Sequence, residues 1–151
     1  MQIKTILVAT DFSNDAETAV ETAIELAKAF GAKLELFHAY HVEIPPIYAG
    51  FGGDFTRPED ILGPIREGAE ATMNRLVEDV AAKAKGVPVQ GRVAMDHASR
   101  AILEEAERVL ADLIVIGTRG LTGLEHLVLG STAERVLRLA HCPVMTVKAK
   151  S

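Results

Sequence analysis

The residues best suited to chemistry lie in one stretch: Gly117-Thr118-Arg119-Gly120-Leu121-Thr122-Gly123-Leu124-Glu125-His126-Leu127-Val128-Leu129-Gly130-Ser131-Thr132. Four glycines in fourteen residues remove side chains where a backbone must turn or lie against something. Gly130-Ser131 stands where a helix begins. Unpaired N–H groups and the positive end of the helix dipole make such a start an anion site. Ser131 adds a hydroxyl, and Arg119 or His126 adds positive charge, so a phosphate chain fits between Gly120 and the helix start. The same residues also fit a tight surface loop in which Ser131 only caps the helix. Neither familiar phosphate motif is present. There is no Gly-Lys-Ser/Thr, and the first strand-to-helix turn lacks Gly-x-Gly-x-x-Gly.

Asp11 is the second candidate. An ionised carboxylate only accepts hydrogen bonds, which suits hydroxyl or amino groups of a ligand and repels phosphate. Aspartate is equally a turn former at such a position. Of the histidines, His38 and His41 are three apart, which is not a zinc spacing, and a divalent ion is expected with the phosphates, as magnesium. Cys142 precedes a proline beside an apolar strand and reads as a small core residue. No Ser-His-Asp set or carboxylate pair is evident.

These residues need elements to hold them, and the apolar pattern supplies an order. Residues 3–9 read as a buried strand ending in Ile6-Leu7-Val8-Ala9. A helix follows with Ala16, Ala19, Val20, Ala23, Ile24, Ala27 and Phe30 on one stripe and Gly31 as its stop; either Asn14, paired with Glu17, or Ser13 caps it. Residues 34–40 form a second strand. An irregular segment over residues 42–63 carries Tyr48, Phe51 and Phe55, and reads as a docked surface excursion or a flap over a ligand. A second helix runs through Ile65, Ala69, Met73, Leu76, Val80 and Ala84. The third strand covers residues 87–94, weakened by Pro88 and Gly91. Ile102, Ala106, Val109 and Leu110 mark a third helix. Leu113-Ile114-Val115-Ile116 is apolar throughout and central. Ala133, Val136, Leu137 and Ala140 mark the last helix, and Val144-Met145-Thr146-Val147 the last strand. The alternation predicts an α/β fold, an open five-stranded parallel sheet with helices on both faces, in one domain. Ligands of such sheets sit beyond the strands' carboxyl ends where strand order reverses. If the first and fourth strands adjoin there, the site lies between the loops that start at Ala9 and Gly117.

Composition limits the partners. Of 151 residues, 48 % are apolar and 25 % charged, and 16 Lys and Arg against 21 Asp and Glu leave a net charge of −5. That balance predicts a globular chain that grips neither nucleic acid nor membrane surface. One cysteine and no long apolar run predict a cytoplasmic protein.

Along its whole length the chain resembles the universal stress protein family, in its ATP-binding branch. Ile6-Leu7-Val8-Ala9-Thr10-Asp11-Phe12-Ser13 resembles that family's first strand and turn. Gly117, two residues, Gly120, nine residues, Gly130 and Ser131 match its nucleotide pattern, and His141-Cys142-Pro143-Val144-Met145-Thr146-Val147 its last turn and strand. The resemblance implies a Rossmann-like fold in which Asp11 lies beside the adenosine and the backbone of Ala39 reads the adenine edge. It implies that Gly117 meets the ribose, and that Gly120, Gly130 and Ser131 hold the phosphates with Thr132 beside them. Two positions depart from the pattern: Ala9 stands where the family often has proline before Thr10-Asp11, and Met95, followed by Asp96, where it often has glycine. A bulky Met95 is expected to crowd or pack on the base. The resemblance further implies a homodimer through Pro143, Val144, Met145, Thr146 and Val147, whose edge backbone needs covering. The function so implied is an ATP-binding, ligand-gated regulatory module. A slow ATPase or adenylate-transfer enzyme and a nucleotide-free dimeric scaffold stand as alternatives, and a receiver domain lacks a second acidic residue beside Asp11.

Overall fold

The computed structural model describes residues 1–44, 57–119 and 129–149. Among the described residues nine elements alternate: β1 (Thr5–Ala9), α1 (Asn14–Phe30), β2 (Lys33–Tyr40), α2 (Pro58–Lys83), β3 (Val89–Met95), α3 (Ala98–Arg108), β4 (Leu113–Gly117), α4 (Ser131–Leu139) and β5 (Val144–Val147). All strand pairs are parallel, in the order β3-β2-β1-β4-β5. The strands are buried on both faces because helices cover both. On one face α1 and α2 close Ile6, Val8, Leu34, Leu36 and Val115 under Ala19, Ala23, Met73 and Val80. On the other, α3 and α4 close Leu7, Phe37, Ile114 and Ile116 under Ala101, Ile102 and Val136.

The helix boundaries follow local chemistry. Of the two caps considered for α1, Ser13 is the one formed: its Oγ accepts from the Ala16 amide at 3.2 Å. Gly31 ends the helix in the left-handed conformation, φ +66°. The second helix starts at Pro58, earlier than the 42–63 irregular segment allowed. Proline suits a first helical position, and Asp60 accepts the Arg57 amide at 3.0 Å. Gly63 and Pro64 both fall inside the helix. The aromatics Tyr48, Phe51 and Phe55 lie outside the described residues.

Phe30, Ile65, Leu110 and Leu137 were expected on buried stripes and are instead 52, 39, 80 and 48 % exposed. Periodicity assigns a face to a helix but does not say where the sheet beneath it stops. Leu110, just beyond α3, adopts φ +54°.

Two features of the β3 edge hold α2 and α3 in place. At Gly91 an added Cβ would lie 2.5 Å from Val77 Cγ2 and 2.7 Å from Met73 Sδ, so glycine lets α2 settle onto the strand. On the opposite face Glu105 of α3, with its side chain 3 % exposed, accepts from Arg92 on β3 and from Arg108 at 2.6 and 3.0 Å. Burial pushes its carboxyl up, but hydrogen bonds from Arg108 and Arg92 outweigh burial and hold it below the usual range.

Gly91→Ala is expected to cost about 1–3 kcal/mol of unfolding free energy, the scale of overpacking, with part recovered in the Gly91→Ala/Val77→Ala pair. Urea unfolding of both variants checks this. The lowered Glu105 value means that its stabilisation is full above the unfolded carboxylate range and fades as pH falls through the folded value. Urea unfolding from about pH 6 down to about pH 3 is therefore expected to show an acid loss that Glu105→Gln flattens, with Glu105→Gln already weaker at neutral pH.

Candidate functional site

From β1 the chain crosses to β2 on one side, and from β4 to β5 on the other, so the strand order reverses between β1 and β4. The pair is in register from Ile6 opposite Leu113 to Ala9 opposite Ile116. The loops leaving the two strands must diverge, which leaves a crevice beyond their carboxyl ends. A cavity of about 150 Å³ occupies it.

The cavity has an apolar floor and two polar ends. Ala9, Phe37, Ala39, Ala98, Ile102 and Ile116 form the floor, and the small residues among them leave the room. Thr10 and Asp11 stand at the β1 end. Gly117, Thr118 and Arg119 leave β4, and Gly130, Ser131 and Thr132 begin α4 across from them.

The Asp11 turn is tightly determined. Phe12 adopts φ +63°, a strained conformation for a bulky residue. Several contacts hold it there: the Phe12 amide donates to Thr10 Oγ1 at 3.0 Å, and its ring lies tilted against His38 at 4.3 Å. His38 Nδ1 lies 2.8 Å from the Thr10 carbonyl oxygen. Because a carbonyl only accepts, Nδ1 carries the proton in this contact. Asp11 Oδ1 accepts from the Ser13 amide at 3.0 Å and from Ser13 Oγ at 2.5 Å. Asp11 is thus a turn former through one oxygen, while its second oxygen takes no hydrogen bond from the described residues. Both readings of this residue are compatible with the one geometry.

The α4 end carries complementary polarity. Its N-cap is Gly130, with no side-chain cap, and Ser131 is already helical, so the reading of Ser131 as the cap is corrected. The first amides of α4 are therefore left without side-chain acceptors from the cap, at a wall of the cavity. Thr118, buried at 6 %, fixes the spacing: its amide donates to Val147 O at 3.0 Å, and its carbonyl accepts from the Gly130 amide. A Cβ on Gly130 would lie 3.1 Å from that carbonyl oxygen. Arg119 lies 3.5 Å from Asp15 Oδ2 on α1.

Nine of the sequence-derived site residues line this one cavity: Ala9, Thr10, Asp11, Ala39, Gly117, Arg119, Gly130, Ser131 and Thr132. Met95 does not. It is the last residue of β3, opposite Tyr40, half exposed and outside the lining. On that side the lining comes from Ala98 and Ile102 of α3. Gly120 and His126 lie outside the described residues. The sequence reading missed Ala98, Ile102 and Phe37, which are ordinary core types, and passed over Thr118, whose place between Gly117 and Arg119 was a usable signal.

The other candidates are engaged elsewhere. His41 stacks on His97, with ring centroids 4.1 Å apart. Burial, then Asp112, pushes the Cys142 thiol up, away from the reactive thiolate. Among the described residues no group of three or more His, Cys, Asp or Glu can hold a metal.

The fold and this crevice define a doubly wound α/β protein with a cavity at its topological switch point. A model of the universal stress protein family matches residues 2–148. A universal stress protein of Methanocaldococcus jannaschii is 37 % identical over 147 residues, covering 96 % of this chain and 82 % of that one. A universal stress protein solved in complex with cAMP is 28 % identical, with a TM-score of 0.69 and coverage of 99 and 100 % of the two chains. One from Archaeoglobus fulgidus, in complex with dAMP, is 26 % identical with a TM-score of 0.65, over 98 and 100 %. The chain belongs to the universal stress protein family.

Proposed function

We propose that this protein binds an adenine nucleotide, ATP foremost, in the crevice between β1 and β4, and works as a regulatory module through that ligand. One observation carries the reading: Asp11 and the start of α4, which has no side-chain cap from Gly130, border the same cavity, and its other lining residues are largely apolar. An aromatic base on the floor, hydroxyls or an amino group at Asp11 and phosphates at Ser131 and Thr132 match that polarity. The similar proteins in complex with cAMP and dAMP support an adenine ligand. Magnesium would come with the phosphates and keep its own waters.

A route from ligand to partner surface is short. Thr118 lines the cavity and donates to Val147 of β5, the edge strand of the sheet. Met145 on that strand is 37 % exposed, and Leu137 and Leu139 on α4 are 48 and 45 % exposed. An open edge beside exposed apolar side chains favours pairing with a second copy. The homodimer is proposed through Pro143, Val144, Met145, Thr146 and Val147, with ligand occupancy setting the position of the edge.

Calorimetric titration is expected to show saturable ATP binding. Ser131→Ala should weaken ATP by roughly ten- to a hundredfold, the scale of one charge-assisted hydrogen bond, and leave adenosine unchanged. Ala98→Leu fills the floor and should weaken both. Absence of ATP and AMP binding by the parent protein would contradict the reading. Light scattering is expected to give a dimer, and a monomer with and without ATP would remove the proposed interface.

A further inference from the structure

Asp11 and Arg119 are the charged side chains among the described residues that line the cavity. Arg119 has a partner: its Nε lies 3.5 Å from Asp15 Oδ2, with the two side chains 30 and 28 % exposed. The guanidinium at the phosphate end is thus already neutralised by a carboxylate on α1. We propose that the Asp15–Arg119 ion pair is exchanged on binding: the ligand's phosphates take Arg119 from Asp15, which makes Asp15 the residue that sets how strongly the site answers to phosphate charge. The proposal rests on the nucleotide reading above and deepens it.

The geometry makes this exchange inexpensive in both directions. A partly exposed pair at this distance is weakly held and screened by salt. Asp15 keeps a favourable environment after losing Arg119, because it lies in the first turn of α1, where the helix dipole favours negative charge. The alternative position for Arg119 is close. Gly117, Arg119, Gly130 and Ser131 all line the cavity, and Gly130 is tied to the Thr118 carbonyl next in the chain to Arg119. Asp15 is fixed relative to Gly117, on which a Cβ would lie 3.6 Å from the Asp15 carbonyl oxygen and 3.9 Å from Ala16 Cα. Arginine presents several N–H donors in a planar fork that suits phosphate oxygens. In the bound state Asp15 is then an unpaired negative charge near the phosphates, and its repulsion grows with their number.

The test is Asp15→Asn, which keeps shape and removes charge, with Arg119→Met and the double variant completing a cycle. Calorimetry with adenosine, AMP, ATP and inorganic tripolyphosphate reads each. Asp15→Asn is expected to tighten ATP roughly fivefold, the scale of a partly exposed ion pair, AMP by less, and adenosine not at all. In the Arg119→Met background the gain should shrink. A structural role for Asp15 would move adenosine together with ATP. Unchanged or weaker ATP binding in Asp15→Asn would overturn the proposal, since Asp15 would then be orienting Arg119 toward phosphate instead of withholding it. If the parent protein bound no nucleotide, the nucleotide reading would fail separately. Tripolyphosphate would then decide the ion-pair claim: tighter binding in Asp15→Asn supports it, and no gain or no binding overturns it.

Discussion

Everything at the site depends on the parallel pairing of β1 with β4. The two strands are far apart in sequence, and one side chain joins their starts. Asp112, just before β4, accepts from the amides of Lys4 and Thr5 at 2.9 Å each through Oδ2, while its own amide donates to Thr5 O. With that start pinned, Ala9 falls opposite Ile116 and the strands end together. Asp11, Gly117 and Arg119 then border one cavity. A slip of one residue would turn every side chain of a strand to the other face, and no arrangement of loop residues would rebuild the crevice.

The charge economy of that crevice differs from that of the whole chain. A net charge of −5 argues against polyanion partners, which need a broad basic surface. A small anion makes a different demand. Backbone amides at the start of α4 are left uncapped because Gly130 has no side chain to offer, and helix dipoles add polarity that no residue count records. Arg119 contributes a cation whose charge Asp15 offsets. The strain at Phe12, φ +63°, belongs to the same turn, where Asp11 Oδ1 accepts from Ser13 Oγ and that hydroxyl in turn accepts from the Ala16 amide to cap α1.

Much of this architecture was legible in the residues, because apolar runs and helical stripes follow the physics of burial directly. The order of all nine elements could be read that way. Helix ends were less legible. Pro58 opens α2 although the irregular segment was expected to run to residue 63, and Ser13 outcompeted Asn14. At the site, glycines, Asp11 and Ser131 stood out because each has a chemical property that needs a reason. Ala98 and Ile102 did not, since they are common helix residues that become lining only when α3 packs over β1 and β2. Met95 is the reverse case: the resemblance put it beside the base, and at the end of β3 it is half exposed and outside the cavity lining. The Asp15–Arg119 pair joins two elements through tertiary structure alone, so no local spacing announces it.

The central claim is that one small crevice receives base and phosphates together. Amide chemical-shift mapping during ATP titration tests it most directly. The account predicts saturable shifts at Thr10, Asp11, Ala39, Thr118, Ser131 and Thr132, with adenosine reproducing those at Ala39 and Asp11 but not those at Ser131 and Thr132. Saturable shifts clustered elsewhere, or no shifts at high ATP, would contradict it.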